Sequence, residues 1–243
     1  MKFTRTFYRG AALCSILSAF TTLLLIFLPR FYGPLPSFEH RIAAVTNPLY
    51  QLRAWAYLLH PFLVLAAALG VAMALRRVAT GAVVAGFLGF LLWAFTEAAQ
   101  QALTLTLFHG WAAEYAAAES AARETLRMQI GIYDKIWDAM FLLLLLGFLV
   151  GNILYGLATV RSEGLTRILG FFYFGAAFLT LAGISGELRG PTLPAVVSTW
   201  LYPLLQPAAR LLIGVWLWNA RDPEDGAVTA KPASAERSFR SSS

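Results

Sequence analysis

Six apolar stretches, 11–28, 54–75, 80–108, 136–158, 168–184 and 193–218, take up most of the chain, and the only full charges deep inside them are Glu97 and Arg210. A helix rising about 1.5 Å per residue needs roughly 20 residues to cross about 30 Å of hydrocarbon. The first and fifth stretches are shorter and the others suffice. Within hydrocarbon each backbone N–H and C=O must find its partner inside the segment, which a helix achieves alone. The expected fold is therefore all-α: a polytopic integral membrane bundle of six transmembrane helices over 1–220.

Composition agrees, with 58% hydrophobic and 13% charged residues against about 25% charged in soluble domains. The net charge of +6 does not point to nucleic acid, because the Lys and Arg residues are dispersed, several of them at the ends of apolar runs where they meet lipid headgroups. Lys2, Arg5 and Arg9 resemble the basic start of a signal peptide, but Pro29-Arg30-Phe31-Tyr32 follows the first run in place of a small-x-small cleavage site. A retained helix is expected. Arg76 and Arg77 in a tight turn, Arg161, Arg167 and the basic residues of the tail then fall on the side of the N-terminus. This excess places both termini in the cytoplasm, with a bacterial inner membrane as the expected location. Segment 221–243 has no apolar period and reads as a disordered cytoplasmic tail.

The outer connections differ. Segment 109–135, rich in Ala and Glu, is expected to be helical and continuous with its flanking spans, whereas 31–53, with Pro34 and Pro36, looks irregular. Gly147 and Gly151 in the fourth span, and Ala66, Gly70 and Ala74 in the second, remove bulk from one helix face and favour close packing.

Phosphate loops, His-Glu-x2-His zinc sites, Cys-x2-Cys pairs and Gly-x-Ser-x-Gly elbows are absent from the sequence, and Cys14 is the lone cysteine. Neither a metal nor a cofactor is expected. Attention falls instead on the third span, where Glu97, Gln100, Gln101 and Thr104 make one polar stripe at helical spacing. Measured from the span centres, Glu97 lies about 5 Å, His60 about 7 Å and Gln101 about 10 Å toward the outer side, with Asp138 shallower. These residues form an expected outer layer. Arg210, about 6 Å toward the cytoplasm, joins Gln206 and Asn152 in an inner one. Pro203 and Pro207 interrupt the backbone hydrogen bonds nearby.

Two readings of these layers compete. Ionisable groups inside a membrane usually face a cavity or a pathway, which makes His60 and Glu97 a proton-handling or ligand-coordinating pair and Arg210 an anion or lipid-headgroup site. Alternatively the groups satisfy one another and fix helix register, and Arg210 snorkels. Segment 157–170, LATVRSEGLTRILG, adds Ser162, Gly164, Arg167, Leu169 and Gly170, while Gly214, Trp216 and Leu217 close the last span. These positions resemble the bacterial six-span membrane family known as domain of unknown function 4386. Thr166 stands where that family has Pro, and Arg210 near where it has an acidic residue. The resemblance implies an integral membrane architecture and no assigned activity. Three functional classes follow: binding or transport of a small molecule or lipid, a non-enzymatic accessory subunit with a membrane protein partner, and an acid–base or redox enzyme using His60, Glu97 and Asp138. Paired His or Cys ligands for the enzyme reading are missing.

Overall fold

A computed structural model describes residues 3–220 apart from 192 and 195. The tail expected over 221–243 lies outside the described residues. Among those described there is no strand. The helices are α1 (Arg5–Tyr32), α2 (Phe38–Ala44), α3 (Pro48–Leu75), α4 (Thr80–Leu103), α5 (His109–Ala117), α6 (Ser120–Thr159), α7 (Gly164–Glu187) and α8 (Tyr202–Trp218). A π-helical turn, Thr104–Phe108, joins α4 to α5 without a break, and a second, Val197–Leu201, precedes α8. Five helical segments are long and apolar enough to cross a membrane: α1, α3, Thr80–Ala117, α6 and α7. Large apolar side chains are exposed at helical spacing along their outer faces, such as Leu13, Leu17, Phe20 and Leu24 on α1 and Phe171, Phe178 and Leu181 on α7. A surface of this kind suits lipid and not water.

Local signals explain most boundaries. The Thr4 hydroxyl caps α1 by accepting from the Phe7 N–H, and the Asn47 side chain caps α3 by accepting from the Leu49 N–H, with Pro48 in the first turn. Segment 31–53 is not irregular as expected. Ser37 caps the short helix α2, with Glu39 in its first turn, and α3 begins at Pro48. Segment 109–135 is helical and continuous with its neighbours as expected, except for the break at Ala118 and Glu119.

The long helices close into a ring in the order α1, α3, α4, α6, α7, α8, with α8 returning to α1. Ser15 of α1 ties that closure by donating to the Arg210 carbonyl at 2.7 Å. Arg9 lies over the Trp218 ring at 5.2 Å, so the two described ends of the chain share one end of the bundle. Trp216 donates its indole N–H to Thr166 at 2.9 Å, which ties α7 to α8.

A close backbone approach joins α4 to α6. A Cβ on Gly89 would stand 2.7 Å from the Gly151 backbone nitrogen, and one on Gly147 would stand 2.8 Å from that of Trp93. The small-residue pair in the fourth span therefore packs against a third glycine. Below this contact, toward the chain ends, aromatic rings fill the middle of the ring: Phe90 meets Phe148 and Tyr155, and Tyr155 meets Tyr173, with centroids 5.0 to 5.9 Å apart. The Tyr155 hydroxyl crosses to donate to the Ala68 carbonyl of α3 at 2.9 Å.

Gly89→Leu is expected to destabilise the folded protein by at least about 1–3 kcal/mol, the range for overpacking a well-packed site. Gly81→Leu, where a Cβ meets nothing within 4 Å, changes it little. Thermal melting in detergent micelles checks the pair; equal melting temperatures would remove the glycine contact from the account.

Candidate functional site

The other half of the ring, at the end that carries α2 and α5, encloses a cavity of about 850 Å³. Its walls come from α1, α3, α4, α6 and α8, with Arg41 of α2 at the rim. Seven of the eight residues singled out in the sequence line it: His60, Glu97, Gln100, Gln101, Asp138, Gln206 and Arg210. Asn152 does not. It lines a smaller space of about 60 Å³ among the aromatic rings, with Gln206 and Arg210 bordering both.

His60 is 3% exposed and its Nδ1 lies 2.6 Å from the Thr21 hydroxyl of α1. Thr21 donates its single proton to the Ser18 carbonyl at 3.0 Å, so in the Thr21 contact it is the imidazole that donates. That assigns the proton of a neutral His60 to Nδ1 and leaves Nε2 as an acceptor. The Trp93 ring meets His60 edge-on at 6.3 Å and holds its plane.

The polar stripe of α4 divides into two kinds of residue. Gln100, buried, donates to the Trp137 carbonyl of α6 at 2.9 Å. Thr104 donates to the Gln100 carbonyl and lies 2.7 Å from the Tyr133 hydroxyl, which ties the π-helical turn to α6. These two fix the register of α4 against α6. Glu97 and Gln101, each 6% exposed, make no side-chain hydrogen bond or ion pair among the described residues. None of their polar atoms is sealed off from accessible surface. The surface they keep belongs to the cavity they line.

Arg210 is 7% exposed and donates to Gln206 Oε1, one turn earlier, at 3.3 Å. Its positive charge acts on Glu97, His60 and Tyr173. The expected separation into an outer and an inner polar layer therefore fails for Arg210 and Gln206, which share one cavity with Glu97. Asn152 leaves the proposed set for a local reason: its amide donates back to the Phe148 carbonyl on its own helix at 2.7 Å, a pairing that helical polar side chains adopt readily.

At the rim, Arg41 makes a fork of two bonds to Asp134 of α6, at 2.8 and 3.0 Å, while stacking over Phe108 at 5.4 Å. The bond to Asp134 pushes Arg41 still higher than an ordinary guanidinium, so it stays charged. Glu39 of α2 accepts from Arg127 at 2.6 Å, giving α2 a second tie to α6. Asp138 is 65% exposed and stands 3.9 Å from Lys135. It is a rim group, exposed where this part of α6 borders the opening, and the depth estimate set it shallower than Glu97 and His60. Arg53 of α3 donates to the Leu25 carbonyl at 3.4 Å, lies over Tyr57 at 4.9 Å, and has no acidic partner among the described residues. Sequence reasoning missed Thr21, Arg41, Arg53, Tyr57 and Asp134. Arg53 alone carried a signal, a basic residue one residue before an apolar run.

No group of three His, Cys, Asp or Glu side chains that could hold a metal ion occurs among the described residues. Protein-family models, curated proteins and solved structures yield no match to this chain.

Gln100→Ala is expected to cost about 1 kcal/mol of stability, the usual contribution of a buried hydrogen bond. Glu97→Gln leaves stability unchanged or raises it, since a carboxylate near mid-bilayer costs about 3 kcal/mol on insertion scales. Chemical denaturation in micelles ranks the two; a greater loss for Glu97→Gln would mean that the carboxyl has a structural partner.

Proposed function

We propose that this chain is a six-span inner-membrane protein with both termini in the cytoplasm, and that its cavity opens outward to bind a small organic molecule or a lipid headgroup. The observation that carries this reading is the pair Glu97 and Gln101: two buried polar side chains one turn apart, directed into a large void and bonded to no other described residue. Burying a polar group without a partner costs free energy, and a purely structural role gives no reason to bear that cost. A binding role does, because the groups then find their partners on the ligand.

The volume fits a compact organic ligand, within the roughly 300–1,000 Å³ of typical pockets. The aromatic rings between the cavity and the chain ends separate it from the other side of the bundle, so the arrangement supports binding from one side and not an open pore. α8 with its preceding π-helical turn supplies the sixth crossing in this reading, since the helical run from Val197 to Trp218 has sufficient length. The resemblance of 157–170 to domain of unknown function 4386 would add a family and no activity.

Native mass spectrometry of protein purified in lipid discs tests the reading. A retained small molecule or lipid is expected, at lower occupancy in Glu97→Gln than in Gln100→Ala; a copurifying polypeptide with an empty cavity would favour the accessory role instead. Topology is checked separately with reporter fusions, which are expected to place the turn at Arg76 and Arg77 in the cytoplasm and the α5–α6 junction outside.

A further inference from the structure

The α4 wall of the cavity carries more unused polar atoms than Glu97 and Gln101 alone. Trp93, one turn before Glu97, is 4% exposed and lines the same cavity. Its indole N–H donates to no described residue, and its nitrogen is not sealed off from accessible surface. Trp93, Glu97 and Gln101 therefore form one stripe of buried polar groups at intervals of four residues, about 12 Å from end to end. His60 of α3 stands beside the start of this stripe, its ring 6.3 Å from that of Trp93. The His60 Nδ1–H is committed to Thr21, which leaves Nε2 as an acceptor. That atom too bonds to no described residue and keeps accessible surface.

These atoms specify a hydrogen-bonding pattern. The Trp93 indole only donates, His60 Nε2 only accepts, and the Gln101 amide does both. Glu97 accepts in either protonation state and donates as well when neutral, so the pattern does not depend on its charge. Between Trp93 and His60 alone a ligand must both accept and donate. An ionised phosphate or carboxylate, which only accepts, would meet the indole and leave Nε2 facing its lone pairs. An ammonium, which only donates, would meet Nε2 and leave the indole N–H facing its protons. A buried polar group left unpaired in this way is costly. A hydroxyl donates and accepts through one rotatable O–H and meets either kind of atom. We infer that the cavity recognises an uncharged polyhydroxylated group, a sugar lying along the α4 stripe with its hydroxyls on Trp93, His60, Glu97 and Gln101.

The inference rests on the binding reading above and adds the class of ligand. The rings of Trp93 and Tyr57 border the same space and offer flat apolar surface to the C–H face of a sugar. Aromatic walls with a few convergent polar groups are the usual form of a small-molecule site. The stripe is longer than one sugar ring and accommodates two linked rings. The cationic side chains stand on other helices, and recognition of a sugar needs none of them. Arg53, half-buried, lies about 10 Å along α3 from His60, where it donates to the Leu25 carbonyl and lies over Tyr57. Arg41 is taken by Asp134, and Arg210 donates to Gln206 on its own helix. A sugar occurs both as the head of a glycolipid and as a free molecule, and the two sources share the recognition chemistry.

The test is isothermal titration calorimetry of the full chain in lipid discs, blanked against empty discs. Three amphiphiles share one alkyl chain and differ in the head: dodecyl maltoside, dodecyl phosphate and dodecyltrimethylammonium, each kept below its micelle threshold. Free maltose is the fourth probe. Dodecyl maltoside is expected to bind at least tenfold more tightly than either ionic amphiphile. Trp93→Phe, which keeps a ring and removes the N–H, and Gln101→Leu, which keeps size and removes the amide, are each expected to weaken the maltoside at least fivefold. Neither should change the affinity for the ionic amphiphiles by more than about twofold, a selectivity that general loss of structure would not produce. Binding of maltose as well would identify a free sugar as sufficient, and binding of dodecyl maltoside alone would identify a lipid-borne head; both support the inference. Equal or tighter binding of an ionic amphiphile by the wild-type chain overturns it while leaving the binding reading intact, and needs no variant to fold. Maltoside affinity unchanged in either variant overturns it too. Failure of all four probes to bind overturns both readings.

Discussion

The contact between Gly89 and the Gly147–Gly151 face sets the geometry on which the rest of the bundle depends. Three residues without side chains let the α4 and α6 backbones meet: a Cβ on Gly89 or Gly147 would fall less than 3 Å from the facing main chain, and one on Gly151 would fall against the Phe90 ring. Helices that touch so closely at one level must part where longer side chains stand between them. Toward α2 and α5 those side chains are Gln100 with Trp137 and Thr104 with Tyr133, which hold α4 and α6 together by hydrogen bonds and not by backbone proximity. The divergence opens the ring at that end, and the π-helical turn at Thr104–Phe108 continues the chain into the covering helix α5. At the other end, Phe90, Tyr155 and Tyr173 fill what space remains. One close approach thus has two consequences, a filled half and a hollow half.

The hollow half explains why its charges are treated differently. Near the rim, Arg41 and Asp134 form a two-bond fork while staying about one-third exposed, so solvent still moderates the energy of the pair. α2 depends on such ties. A helix of seven residues is far too short to be stable alone, and it is held by the fork, by the Glu39–Arg127 pair and by a small apolar cluster of Ile42, Val45, Phe108, Ala112, Ile130 and Tyr133. Deeper in, water is scarcer and an ionised group is more costly to bury. Glu97 and Arg210 nevertheless occupy opposite walls, with the void between them. Ring closure imposes this separation: α8 reaches α1 through Ser15, α4 reaches α6 through glycine, and neither helix can approach the other without breaking those contacts.

Much of this architecture was legible in the sequence because hydrocarbon leaves so few choices. Periodicity and length located the five helical segments that are long and apolar enough to cross a membrane, and the stretch 80–108 ends where the π-helical turn ends. The small-residue pair at Gly147 and Gly151 was legible too, although its partner Gly89 was not, since spacing on one helix says nothing about which helix faces it. Depth along the span grouped His60, Glu97 and Gln101, which line one cavity. It failed for Arg210 because long side chains and a cavity that extends along the bundle axis bring together groups placed at different heights. α2 escaped notice although Ser37 and Glu39 form a recognisable helix start, because Pro34 and Pro36 dominated the reading of that segment. The fork from Arg41 to Asp134 joins residues 93 positions apart, and no local pattern encodes such a pair.

Asn152 and Gln101 show why polarity inside a membrane helix is not by itself a sign of function. Both are amides, both are buried, and each sits on an apolar helix beside a space. Asn152 has a side chain short enough to return to the Phe148 carbonyl one turn back, which satisfies a donor without recruiting anything from outside. Gln101 makes no such return, and Glu97, one turn earlier, carries no proton to donate when ionised. Local satisfaction therefore removes Asn152 from consideration and leaves the other two with needs that the described protein does not meet. Departures from local consistency of this kind concentrate at functional sites. Here the departure occurs on the wall of the large cavity at the end that carries α2 and α5, where polar groups on a ligand would meet the needs of Glu97 and Gln101 together.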